Sequence, residues 1–581
     1  MMEQLCLPVT RWHFPSRNGT IEDELSRELG LLPVVSRILG GRGITNVDEA
    51  KQFLHPSLKN LHNPFLMKDM DKGVARLIKA VINKERITIY GDYDADGITA
   101  VVVLLRFLRP LTDRCDYYIP DRCAEGYGLN RPAIDRLREE GVSLIVTVDC
   151  GISDAELVAY ARSQGMDVII LDHHEVPDTI PEAAAVINPN RPDCRYPFRY
   201  LAGVGIAFNF IIALRERLRR EGFWSRYPYP NLREYLDLVA LGTIGDISPL
   251  IGENRIFAKI GLDLITEDRR VGLSALKEIS GIHSQVIDSS KASFCLIPRI
   301  NAAGRVGSPR EAVELLLTDD REEALDLARR LDAYNRKRQT IERSILQEIL
   351  EKIGSDMDAA KTRSLVFASR DWHPGVIGIV ASRLVDRFCR PAILISLRDG
   401  IGKGSGRSIA TFNIYEGLRK CDSFLLSYGG HQFAAGISIR EEDIREFAKQ
   451  LEEVIEADID MDAMVSQTII DTYCDLREVN YDLLSQLSLL APFGSRNQEP
   501  VLCARNVSIT SSSVVGNNHL RMRVVGDGVT CNSIWFSRGQ FVSYVRSATS
   551  DIAFTPQINN WNGASEIQLK VRDLALRDAI G

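Results

Sequence analysis

Six aspartates (Asp92, Asp94, Asp96, Asp149, Asp172 and Asp246) and two adjacent histidines (His173 and His174) stand at or near the carboxyl ends of four apolar runs. The runs are ITIYGDYDADGITA (Ile87–Ala100), SLIVTVDCG (Ser143–Gly151), DVIILDHHE (Asp167–Glu175) and LVALGTIGDISPL (Leu238–Leu250), the last more helix-like than strand-like. A buried strand normally ends in turn residues, not in carboxylates that repel one another. Bringing these acids to one edge costs roughly several kcal/mol unless a cation sits among them. The pattern therefore predicts a metal site at the carboxyl ends of parallel strands, and hydrolytic chemistry.

GDYDADG spaces Asp92, Asp94 and Asp96 two apart, so on an extended strand end their carboxylates converge. Gly97 then opens a helix whose amino end favours an anion such as phosphate. An EF-hand is excluded, because a strand precedes the motif and the distal glutamate spacing is absent. Imidazoles beside carboxylates suit zinc, manganese or iron better than magnesium alone. A mixed Asp/His site holding two divalent ions is suited to phosphoester hydrolysis. The thiolate or three-histidine ligation that redox chemistry favours is missing.

Positioning these residues requires alternating strands and helices. RITIYG precedes GITAVVVLLRFL (Gly97–Leu108), DYYIP precedes AIDRLREE, and SLIVTVD precedes SDAELVAYARSQ. This pitch predicts βαβ units and a mainly parallel sheet with its ligands at the strand carboxyl ends. The expected division is a helical lead-in over 1–75, an α/β catalytic domain over 76–260, a helical extension over 261–308 and a connecting helix over 309–353. A second α/β domain over 354–457 and a barrel of the OB type over 458–581, built from short alternating segments, complete it.

At 581 residues the chain is too long for one core. Net charge is −7, which does not advertise a nucleic-acid partner. LRERLRR (Leu214–Arg220) and ARRLDAYNRKRQ (Ala328–Gln339) read as solvated helix faces. Eleven scattered cysteines without a CxxC pair favour reduced thiols, and Cys150 reads as a small side chain at a crowded strand end. No apolar stretch approaches a membrane span and the start lacks a signal-peptide pattern, so no membrane association and a cytoplasmic location are expected.

GDYDADG, VDCG, LDHHE and ALGTIGD together resemble the motifs of the DHH phosphoesterase superfamily. PRINAAGR (Pro298–Arg305), GSGRS (Gly404–Ser408), GGHQFAAG (Gly429–Gly436), APFGSRNQEP (Ala491–Pro500) and an NNWNG turn (Asn559–Gly563) resemble its RecJ branch, over nearly the whole chain. The resemblance implies an α/β fold of two domains, DHH and DHH-associated, joined by a long helix and followed by an OB-type β-barrel. It implies an exonuclease that degrades single-stranded DNA from the 5′ end with Mn2+ or Mg2+, two ions, in DNA repair and recombination. Carried onto this sequence, the metal ligands fall on Asp94, Asp96, Asp149, His173 and Asp246, with Asp92 close enough to ligate or orient. Asp149 is the candidate to bridge two ions, His174 would face the scissile phosphate, and Asp172 would hold the histidines. The superfamily's pyrophosphatases carry a histidine four residues before the first ligating aspartate; here that place is Tyr90, a departure that bears on the second metal position.

The remaining motifs have a phosphate logic of their own. Arg299 and Arg305, with Asn301 between, can fork onto phosphate oxygens. Gly429 and Gly430 let backbone amides approach an anion, and His431 can donate to it. Arg407 and Ser408 follow what reads as a glycine-rich turn suited to the same task. Trp535, Phe536, Phe541, Tyr544 and Trp561 are available in the barrel, but small-barrel aromatics are mostly core and none is assigned to DNA. A single-strand-binding protein and a RecQ-type helicase are partners implied by the resemblance. The alternative reading is a DHH phosphoesterase acting on short oligonucleotides or cyclic dinucleotides; the lead-in and barrel speak against it. A non-catalytic replication scaffold ranks last, because the ligand positions are intact.

Overall fold

The computed structural model describes residues 10–122, 124–225, 228–356, 362–545, 549–561 and 564–576, with the side chains of residues 355, 356, 560, 561 and 564 outside the description. Ile87–Gly91 (β1) is buried at every position and is followed by the helix Ala95–Leu108 (α1). Cys115–Tyr118 (β2), Leu144–Val148 (β3), Asp167–Leu171 (β4) and Ala185–Ile187 (β5) complete the sheet. Apart from the edge strand β2, these runs are apolar and buried on both faces, as parallel strands between helices require. The order is β2-β1-β3-β4-β5 with every neighbour parallel. Strand order reverses between β1 and β3, where ligands bind in such sheets. The GDYDADG segment leaves β1 and Asp149 leaves β3 at this point.

The fourth apolar run is a helix. Gly203–Arg220 (α2) and Leu236–Gly245 (α3) both pack on α1, and Asp246 is the C-cap residue of α3. A π-helical turn over Ala292–Leu296 runs into Ile297–Val306 (α4), which carries the PRINAAGR motif.

The segment expected as one connecting helix, 309–353, is two. Pro309–Leu317 ends at Thr318, whose backbone is extended, and Arg321–Asp356 (α5) begins after it. The break has a local cause: Asp320 accepts from Glu323 N at 2.9 Å and so starts a new helix. The basic stretch on α5 is not solvated throughout. Arg329, Arg330, Arg336 and Lys337 are exposed, but Arg338 is buried with Asn335 and Glu342.

The second α/β domain contains Leu365–Ser369 (β6), Ile377–Phe388 (α6), Ala392–Arg398 (β7), Ile401–Arg407 (β8), Leu425–His431 (β9) and Ala434–Arg440 (β10). Its sheet runs β9-β10-β8-β7-β6, parallel only between β6 and β7. The glycine-rich segment read as a turn is the strand β8. A Cβ at Gly402, Gly404 or Gly406 would stand 2.5, 2.5 and 2.7 Å from Ile395, Ile437 and Ile414 respectively. The glycines thus admit neighbouring isoleucines on one face of the strand. GGHQFAAG is a hairpin, with Gln432 and Phe433 joining β9 to β10.

The described parts of Met1–Ser57, Asp462–Phe493 and Gln498–Gly581 form one compact unit, and Leu58–Met461 with Gly494–Asn497 forms the other. The first part of the expected lead-in therefore packs with the barrel: Thr10–His13 pairs in parallel with Ser466–Ile469, and Trp12 donates to Asp573. The barrel closes when Leu502–Val515 pairs with Thr549–Trp561 as well as with His519–Gly526. Trp535 and Phe541 are core, whereas Phe536 and Tyr544 are exposed. The side chain of Trp561 and the last two residues of the NNWNG motif, 562 and 563, lie outside the described residues.

Candidate metal centre and phosphate pocket

Asp94 is the N-cap of α1, its carboxylate accepting from Asp96 N (2.9 Å) and Gly97 N (3.2 Å). This is why α1 starts at Ala95 rather than at Gly97. A Cβ at Gly97 would lie 2.5 Å from Asp92 O, so the turn closes only over glycine. Asn301 Oδ1 accepts from Ala95 N at 2.7 Å and ties α4 to this turn. Asp96 accepts from Gly203 N (2.6 Å) and Val204 N (2.8 Å), so the amino end of α2 faces its charge. Asp149 leaves β3 with φ +61°, a left-handed conformation that aspartate tolerates better than most residues.

His173 Nε2 lies 3.0 Å from Asp149, 3.9 Å from Asp96 and 3.9 Å from Asp246. His174 Nδ1 lies 2.7 Å from Asp172, which also accepts from the amides of Ile152, His173 and His174. Asn188 and Asn190 donate to the His174 and His173 carbonyls. Tyr127 OH sits 3.0 Å from Asp149 O and 3.2 Å from His174 Nδ1.

Three sets of donor atoms, each within 4.8 Å, overlap here: Asp149–His173–His174, Asp96–His173–Asp246 and Asp92–Asp94–Asp149. Burial first, and then neighbouring carboxylates, push Asp92 and Asp149 well above the usual carboxylate range and Asp96 up to about 7. Among the described residues, Asp92 Oδ1 is buried without a hydrogen-bond partner. An orphaned carboxylate oxygen among converging acids and an imidazole is the donor set of a divalent cation, and these residues fit one. Burial opposes charge on His174, yet its bond to Asp172 raises it to about 9.

The sequence-selected phosphate residues divide. Arg407, Gly429, Gly430 and His431 line an open cavity of about 700 Å3 that Tyr93, Arg122, Tyr127, Gly375 and Lys403 also line. Arg407 donates to Ser405 Oγ and Gly406 O, and Arg305 donates to Gly375 O; neither has a carboxylate partner among the described residues. Burial and the charge of Arg122 bring Arg305 down to about 9. Three residues differ from expectation. Arg299 is committed to Asp332 at 2.9 Å and to Cys295 O, so its fork is already filled. Ser408 spends its hydroxyl on Phe412 O at 2.8 Å. Asn301 serves the GDYDADG turn through its oxygen rather than facing the cavity.

Tyr90 OH donates to Gly128 O and stacks on Tyr118, so it supports the loop that presents Tyr127. Cys150 is buried beside Tyr90 O, outside the grouped donors, and burial pushes its thiol up. Sequence reasoning missed Arg122, Tyr127 and Lys403. Arg122 and Tyr127 lie in the loop after β2, and the rule that ligands meet strand carboxyl ends was the signal available for them.

Three family models match: the DHH family, N-terminal domain over 86–243, the DHHA1 domain over 361–457 and the RecJ OB domain over 470–573. The single-stranded-DNA-specific exonuclease RecJ of Bacillus subtilis (strain 168) is 35% identical over 573 residues, 98% of this chain and 71% of that protein. The chain belongs to the RecJ family. RecJ of Escherichia coli (strain K12) is 34% identical over 580 residues, 96% of this chain and 98% of the relative. The crystal structure of RecJ in complex with Mn2+ from Thermus thermophilus superposes with a TM-score of 0.82 at 30% identity, covering 98% of this chain and 80% of that one. The two α/β domains, the long helix and the OB-type barrel expected from the sequence are thus the RecJ arrangement of domains.

Proposed function

We propose that this chain is a metal-dependent exonuclease that hydrolyses the phosphodiester bonds of single-stranded DNA in the 5′→3′ direction to mononucleotides, in DNA repair and recombination. The observation that carries the reading is the orphaned Asp92 Oδ1, in one of three overlapping donor sets drawn from Asp and His side chains. Membership of a family whose named members are single-stranded-DNA-specific exonucleases supports the substrate, and the direction rests on that likeness alone. Mn2+ or Mg2+, two ions held by Asp92, Asp94, Asp96, Asp149, His173 and Asp246, would supply an acidified water and neutralise charge at the phosphate.

The chain's own groups do the rest. His174, kept protonated by Asp172, offers a proton and a positive charge toward the leaving oxygen. Arg305 and Arg407 hold phosphate oxygens, and the Gly429–His431 end of β9 brings backbone and imidazole to the same anion. Arg299 and Ser408 keep the surrounding elements in place. In this division residues 76–260 carry out the chemistry, 354–457 grip the backbone and 458–581, with the OB barrel, bind single-stranded DNA.

Among the described residues no helix is long and apolar enough to cross a membrane. Buried thiols such as Cys150, Cys194 and Cys421 form no disulfide, which suits a reducing compartment, the cytoplasm. A RecQ-type helicase supplying single strands and a single-strand-binding protein coating them are the partners such a substrate calls for.

End-labelled DNA and RNA strands digested with manganese, magnesium or chelator test the reading. Mononucleotides should leave the 5′ end of single-stranded DNA first, and only with metal. Digestion in chelator, or a dinucleotide turned over as fast as a long strand, would oppose it.

A further inference from the structure

APFGSRNQEP lines neither the cavity nor the donor sets, yet its middle residues belong to the catalytic unit. Gly494–Asn497 group with Leu58–Met461, whereas the chain on either side groups with the barrel. The loop closes on itself: Gly494 N donates to Asn497 O at 2.8 Å and Asn497 N to Gly494 O at 3.1 Å. Arg496, within it, is exposed and left-handed, with φ +53°.

The loop meets two segments that lead to metal ligands. Leu250 N donates to Ser495 O at 2.8 Å, and a Cβ on Gly494 would stand 2.7 Å from Leu250 Cδ1. Leu250 is buried and lies shortly after Asp246. The Arg496 guanidinium lies 4.7 Å from the centre of the Tyr200 ring, and Tyr200 leads into Gly203, whose amide holds Asp96. Asn254, wholly buried on the helix Gly252–Thr266, ties the two segments together. Its Nδ2 donates to Tyr200 O at 2.5 Å and to Pro249 O at 3.1 Å.

The segment after Asp246 is one that must be held from outside. α3 closes with Ile247 N donating to Ile244 O and Ser248 N to Thr243 O, a turn whose left-handed position glycine usually fills. Here Ile247 fills it, with φ +60°, which a β-branched residue keeps only where its surroundings impose it. Its side chain is 74% exposed, so its own packing does not impose it. Ser248 Oγ donates to Asp246 Oδ2 at 2.5 Å, so the carboxylate moves with this turn.

We propose that the loop Gly494–Asn497 positions one ion site and not the other, setting Asp246 through Leu250, and Asp96 through Tyr200 and the amino end of α2. Both carboxylates belong to the donor set Asp96–His173–Asp246, which shares no member with Asp92–Asp94–Asp149. The inference rests on the two-ion reading above. Gly494, Ser495 and Arg496 are positioning residues, acting through Leu250 and Tyr200.

Calorimetric titration of manganese into the whole chain separates the two sites. The wild-type chain should take up two ions, and Asp246→Ala should remove one step. Gly494→Val should displace Leu250 and weaken that same step about tenfold or more, leaving the other within about twofold. In the Asp246→Ala background Gly494→Val should change the remaining step by less than about twofold. Arg496→Gly suits the left-handed backbone and deletes only an exposed side chain; it should weaken the same step about threefold, and Arg496→Lys, which keeps a cation over the ring, should bind as the wild type does. A general loss of packing would weaken both steps together. If Gly494→Val and Arg496→Gly leave both steps unchanged, or weaken both alike, the loop has no such role and the two-ion reading stands. If the wild-type chain binds fewer than two ions, both fall.

Discussion

At the residue scale, two histidines adjacent in sequence do different things because their neighbours differ. His173 turns into the acids, while His174 is clamped by Asp172, which raises its proton affinity above that of a free imidazole. Asp172→Asn removes the clamp and should cost about 10–100-fold in kcat/KM. It should also move the alkaline limb of the pH profile to lower pH, since His174 then loses its proton earlier; an unmoved limb would show that His174 is not the titrating group. Arg407→Lys keeps the charge but loses the planar fork, and should raise KM about tenfold or more in steady-state assays. The acids were legible in the sequence because carboxylates and adjacent histidines at the ends of apolar runs are chemically conspicuous. Arg299 was misjudged because its partner, Asp332, lies on another helix, 33 residues away. Nothing local marks a filled guanidinium.

At the element scale, strand ends and helix starts fix where the carboxylates point. The four apolar runs were legible, and the three strands and one helix among them follow from burial on both faces. β8 was not: three alternating glycines look like a turn until Ile395, Ile414 and Ile437 are in place around them. Gly242 on α3 shows how tightly the elements are set. A Cβ there would lie 2.3 Å from Thr99 Oγ1 and 2.9 Å from Asp96 Oδ1. Gly242→Ala should destabilise the fold by about 1–3 kcal/mol and weaken manganese binding as Asp96 is displaced, measured by thermal melts with and without metal. A melt unchanged in both conditions would mean that α3 yields without moving the site.

At the scale of the whole molecule, the chain stores repulsion in its catalytic domain and relies on a cation to relieve it. Burial raises Asp92, Asp96 and Asp149 in the folded state above their unfolded values, Asp96 to about 7. Groups raised in this way favour folding below the unfolded value, and that contribution is lost as pH rises through the folded one. The metal-free chain should therefore lose stability between about pH 4 and 7 from these groups, and the rise in Tm on adding manganese should be larger at pH 8 than at pH 6. The domain sequence was legible in its periodicities. The packing of residues 10–57 with the barrel unit was not, because that pairing joins strands more than 450 residues apart. The most direct measurement is calorimetric titration of manganese into the whole chain near pH 7, repeated in buffers of different ionisation enthalpy and with Asp149→Asn, which keeps the left-handed backbone. Binding with net proton release, weakened by more than about 100-fold in the variant, is the expected result. No binding, or binding that releases no protons and ignores Asp149→Asn, would contradict it.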